Sequence, residues 1–68
     1  MAVVAQEIKE IDFVSLKERV GEWPAGTTGT VVMDFGSDKM VEISNERGEA
    51  LDLPVIPASK LELVEKYS

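Results

Sequence analysis

Few residues in this sequence could do chemistry. Cysteine and histidine are both absent, which removes a thiol nucleophile, an imidazole base and any Cys/His zinc site. Thr27, Thr28 and Thr30 lie close together, yet a hydroxyl is a weak nucleophile until a base activates it. No Lys stands beside them in sequence. The carboxylates Asp34, Asp38, Glu42, Glu46, Glu49 and Asp52 follow one another through the middle of the chain. A glycosidase-type pair must flank a substrate cleft, and a chain of 68 residues offers none. Asp34 to Asp38 does not match the calcium-loop pattern D-x-[DN]-x-[DN]-G, so these acids are expected to form a solvated face. Gly26 and Gly29 lack the Gly-Lys-Ser/Thr ending of a phosphate-binding loop and are expected to serve turns. The expectation is no catalytic, cofactor-binding or metal-ligating residue, and no enzyme.

What remains is contact chemistry. Trp23 is the only tryptophan. Tryptophan is enriched where partners bind, but here it precedes Pro24 in a long loop, and the favoured reading is that it covers one end of the small core against Pro24 or Pro57. Recognition of PxxP peptides needs several aromatic side chains together. Phe13, Trp23, Phe35 and Tyr67 are the whole aromatic set, and Phe35 is expected inside. At the N-terminus, Val3, Val4, Ile8 and Ile11 are apolar positions outside the regular pattern that begins at Asp12. Val3, Val4, Ile8 and Trp23 are therefore the candidate contacts for a protein partner or a second copy of the chain.

The elements that must position these residues are small. A length of 68 residues with 44% hydrophobic and 29% charged side chains suits one soluble domain. No apolar run is long enough for a transmembrane helix. Thirteen acids face seven bases, for a net charge of −6 and a pI near 4.4. Nucleic-acid binding needs grouped cations, and here Lys9, Lys17, Arg19, Lys39, Arg47, Lys60 and Lys66 are dispersed. A charge of this size keeps a small domain soluble and would attract a basic partner. The start of the chain has neither a basic region nor a long apolar core, so no secretory leader is expected and the expected address is cytoplasmic.

Residues 1–11 form an arm: Met1, Val4, Ile8 and Ile11 fall at helical spacing, while Val3-Val4 would also suit a strand. From Asp12 the texture alternates. Phe13–Lys17 is a strand with Val14 and Leu16 inward. Glu18–Thr28 is a loop holding Gly21, Pro24 and Gly26. Gly29–Phe35 is the clearest strand, with Val31, Met33 and Phe35 on one face. Gly36-Ser37-Asp38 closes a hairpin, and Lys39–Ser44 returns with Val41 and Ile43 inward. Asn45-Glu46-Arg47-Gly48 makes a second hairpin, followed by Glu49–Leu53 with Leu51 and Leu53 inward. Pro54 ends ladder donation. Pro57–Lys60 predicts a 3₁₀ turn before a last strand over Leu61–Glu65. Five short strands separated by turns predict an all-β small barrel over 12–68. Its expected core is Val14, Leu16, Val31, Phe35, Val41, Ile43, Leu51, Leu53, Leu61 and Leu63.

The block Pro24-Ala25-Gly26-Thr27-Thr28-Gly29-Thr30-Val31-Val32 resembles the SH3-like small barrels, including KOW-type domains. With Val41-Glu42-Ile43, Glu46-Arg47-Gly48 and Pro57-Ala58-Ser59-Lys60-Leu61-Glu62-Leu63, the run from about 12 to 64 is similar to a bacterial family of SH3-like proteins of unknown function. The resemblance covers about three quarters of the chain. It implies a five-stranded SH3-like barrel with a 3₁₀ turn before its last strand. The residues themselves favour a non-catalytic protein-interaction or accessory module. The KOW likeness keeps open a nucleic-acid or ribonucleoprotein module, which the net charge opposes.

Overall fold

The computed structural model describes Ile8 and residues 10–65. The elements run β1 (Phe13–Leu16), β2 (Thr28–Asp34), β3 (Asp38–Ser44), β4 (Ala50–Asp52), β5 (Val55–Pro57), a 3₁₀ turn (Ala58–Lys60) and β6 (Leu61–Glu65). All pairings are antiparallel, in the order β4-β3-β2-β1-β6, with β5 also on β3. The all-β class and the 3₁₀ turn agree with the alternation and turn signals of the sequence. The strand count does not: among the described residues six strands form where five were expected.

The sixth strand lies after Pro54. Proline has no N–H to donate, but it keeps its carbonyl. That carbonyl accepts from Val41 N at 2.9 Å, so the ladder passes straight through the proline. β4 and β5 are thus two halves of one run along a single edge of β3, with Ile43 opposite Asp52 and Met40 opposite Val55. This run places Ile56 in the core at 0% exposure.

The core comprises Val14, Leu16, Val31, Val41, Ile43, Ile56 and Leu61, with Ile8, Val20, Trp23 and Leu63 packed against it. Phe35, Leu51 and Leu53 are corrected to the surface, at 53%, 54% and 48% exposure. Two bulges explain all three. In β2 the partners of Val31 and Met33 are Val41 and Met40, so Val32 is an extra residue and side-chain parity reverses after it. Met33 and Phe35 then face away from Val31. In β4 Ile43 pairs Asp52 and Ser44 pairs Ala50, which makes Leu51 the extra residue and gives the inward position to Asp52. Leu53, one residue on, faces outward.

The turns follow local chemistry. Gly26 has φ 91° and Gly36 φ 93°, backbone that a side chain disfavours. At the β2–β3 hairpin, Asp34 Oδ1 accepts from Gly36 N at 2.8 Å. Asn45 Oδ1 accepts from Arg47 N and Glu49 N at the next turn. This is the reason Asn suits a turn start.

Parity also puts Lys39 on the inner face, where it is 6% exposed. Its ammonium donates to Asp34 Oδ1 at 2.6 Å and to Gly36 O at 2.7 Å. The pair closes the hairpin end of the core. Asp34→Ala should destabilise by about 2 kcal/mol, less than the ~3–5 kcal/mol typical of a fully buried pair because Asp34 keeps some exposure. Lys39→Met removes the charge together with its need for a partner and should stay within about 1 kcal/mol of the native stability. Urea denaturation of both variants checks this, and equal losses would contradict it.

Ile11 has φ 77° and is exposed, while its N–H donates to Val31 O at 2.6 Å. A β-branched residue is strained there, whereas Asn tolerates the left-handed region. Ile11→Asn should therefore raise stability by about 1 kcal/mol. A lower urea midpoint in this variant would oppose that reading.

Candidate interaction surface

Among the candidate contacts, Val3 and Val4 lie outside the described residues, as does the helix or strand character of residues 1–7. Ile8 is half-buried against the core. Trp23 is half-buried as well. Val20 and Trp23 exchange backbone hydrogen bonds at 2.8 and 2.9 Å, folding the long loop back on itself. The indole N–H donates to Asp52 Oδ2 at 2.8 Å. The loop from β1 to β2 is thereby tied to β4, and the ring packs on the core cluster. Two of the four candidates thus spend apolar surface within the fold.

The central acids do not converge. Asp34 holds Lys39, Asp52 holds Trp23, and Glu49 Oε1 accepts from the Asn45 side chain at 2.8 Å. Asp38 and Glu42 lie on the outer face of β3. Among the described residues no group of three or more acids is placed to hold a metal ion. Thr27 Oγ1 donates to Pro24 O at 2.7 Å, a turn contact. Among the described residues no helix is long and apolar enough to cross a membrane.

The same two bulges that empty three expected core positions build a surface that simple alternation does not reveal. Strand partners share a face, and directly opposed Cβ atoms lie about 4.5–5.5 Å apart. Met33, Met40 and Val55 are successive partners across β2, β3 and β5. They form an apolar row over three strands on the face opposite the core. Phe35 belongs to the next row, beside Asp38, whose partner is Pro57. Leu53 precedes Val55 on the same side of the edge strand. Phe35, Met33, Leu53 and Val55 are 53%, 44%, 48% and 50% exposed. Contiguous exposed apolar area of this kind marks interaction sites more often than scattered single residues do. A signal for it was present in Val31-Val32-Met33. Three apolar residues in succession carry no alternation, so nothing in that stretch fixes the parity of Asp34 and Phe35.

Compared with family models, with curated proteins and with solved structures, the chain matches none.

Proposed function

We propose that this chain is a non-catalytic protein-interaction module, a cytoplasmic accessory or regulatory domain built as an SH3-like small barrel over residues 12–68. The strand order β4-β3-β2-β1-β6 and the 3₁₀ turn before β6 support the architectural part. The observation that carries the functional part is the outer row Met33–Met40–Val55, with Met33 and Val55 exposed and Met40 half-buried between them, and with exposed Phe35 and Leu53 beside it. These side chains contribute little to the core, so their apolar character is better accounted for by a contact than by folding. The dispersed cations weigh against the alternative of a KOW-type nucleic-acid module.

The test is affinity capture from a cell lysate, followed by mass spectrometry, with the native chain and a Val55→Lys variant as baits. Val55 is half-exposed, so the variant should keep its melting temperature. One or more proteins captured by the native chain and lost with the variant would support the reading. Identical captures by both baits would remove this face as the contact. RNA captured in place of protein would promote the alternative.

A further inference from the structure

Resting on that reading, we infer that the outer face of β2, β3 and β5 receives a cationic amphipathic helix of a partner protein. Three features of the face point to this occupant. Its length is the first. Neighbouring strands are about 4.8 Å apart, so the row Met33–Met40–Val55 spans roughly 10 Å between its outer members, close to the ~10.5 Å rise between positions i and i+7 of a helix. A helix laid along the row, across the strands, would set its apolar stripe on it.

Charge is the second. The outward positions of β3 are Asp38, Met40 and Glu42, so a carboxylate stands on each side of the central methionine. Their partners on this face are Thr30, Met33, Phe35, Val55 and Pro57. None of these is a cation, and Lys39 is turned to the inner face and occupied by Asp34. A helix with Lys or Arg flanking its apolar stripe meets opposite charge on both sides of that stripe. A second copy of this chain would instead bring acids against acids, on top of a net charge of −6 per molecule.

Side-chain character is the third. Two of the three residues in the row are methionine, whose unbranched thioether adapts to the shape of an apolar helix face. The mode is burial of an amphipathic helix by its i, i+3, i+4 and i+7 positions.

The probe is a helix-forming peptide of about 18 residues, roughly five turns, built from Leu on one face and Lys on the other. Its controls are a scrambled peptide of the same composition and a Leu/Glu peptide of the same pattern. The readout is the ¹³C methyl signals of Met33 and Met40 in the full chain. The Leu/Lys helix should shift both signals, the two controls should shift neither, and the effect should weaken as salt rises. Val55→Lys should weaken binding by about thirtyfold or more, the size of a hot-spot loss, at an unchanged melting temperature. Equal shifts with the scrambled peptide, no shift with the Leu/Lys helix, or full binding by the variant would overturn the inference. So would signals that move with protein concentration alone, which would assign the face to a second copy. A change at Met33 and Met40 on deleting residues 1–7 would likewise assign it to the chain's own N-terminus. A face that captures a cellular protein in a Val55-dependent way, yet ignores the cationic helix, would leave the interaction module standing and remove only this occupant.

Discussion

Ile56→Ala is expected to destabilise the protein by about 2–5 kcal/mol, the range for removing a buried aliphatic side chain and leaving its cavity. Ile56 is fully buried and sits in a strand of three residues, β5, so little around it can collapse to fill the gap. Small domains have limited stability, and this loss is a large share of about 5–15 kcal/mol. Leu53→Ala and Phe35→Ala, which remove larger or equal apolar side chains from the outer face, should each change stability by only about 0.5 kcal/mol. Urea denaturation of the three variants decides the matter. A loss for Leu53→Ala comparable to that for Ile56→Ala would mean that residues 51–53 lie inside, as the simple alternation predicts, and that the β4 bulge is wrong. Ile43, also buried, should follow Ile56 when replaced by Ala, again at about 2–5 kcal/mol.

Gly29→Ala should be nearly as damaging, for the opposite reason. Gly29 is buried within β2, opposite Val14. A Cβ there would lie 2.6 Å from Val41 Cγ1 and 2.7 Å from the backbone oxygen of Glu42. The valine methyl can rotate, but the carbonyl belongs to the β3 ladder and can move only with its strand. Overpacking of this kind typically costs about 1–3 kcal/mol, and occasionally more. Gly29 therefore lies in the strand, as the alternation of 29–35 predicts, and serves a close approach of side chain and backbone between strands rather than the turn also expected of it. Gly26, at φ 91°, does serve a turn, and an added Cβ there meets no atom within 4 Å. Gly26→Ala would act through backbone strain alone. Thermal melts of Gly29→Ala and Gly29→Val resolve the mechanism: a steric cause predicts a larger loss for Val, whereas equal small losses would show that β2 and β3 separate without penalty.

Alternation and turn chemistry were enough to place most of the framework. Val14 and Leu16, Val41 and Ile43, and Leu61 with Leu63 fall at period two in short runs bounded by Gly, Pro and Asn. Period two puts such residues on one face of a strand whatever the strand pairs with. Pro24-Ala25-Gly26, Gly36 and the Asn45–Gly48 turn are likewise local, since a positive φ or an Asx hydrogen bond is decided within a few residues. The absence of Cys and His and the scattered cations bound the chemistry by residue type alone.

Three things were decided only by tertiary structure. The parity of Met33, Phe35, Leu51 and Leu53 depends on an extra residue in one strand relative to its partner, and a bulge is a property of the pair rather than of either strand. The strand at Val55–Pro57 exists because β3 is long enough to offer hydrogen-bonding groups beyond Pro54, something Pro54's own chemistry does not contain. Lys39 shares the face of Val41 and Ile43 by period two, but the groups that let its charge stay there, Asp34 and the carbonyl of Gly36 across the hairpin, are brought to it only by the fold. The apolar row on the outer face, on which the functional proposal rests, is the joint product of the first two. Each strand presents one or two apolar side chains there, and only the registers Met33–Met40 and Met40–Val55 line them up. Local sequence sets which residues alternate, while register sets which face each alternation occupies, because side-chain direction reverses with every single-residue shift.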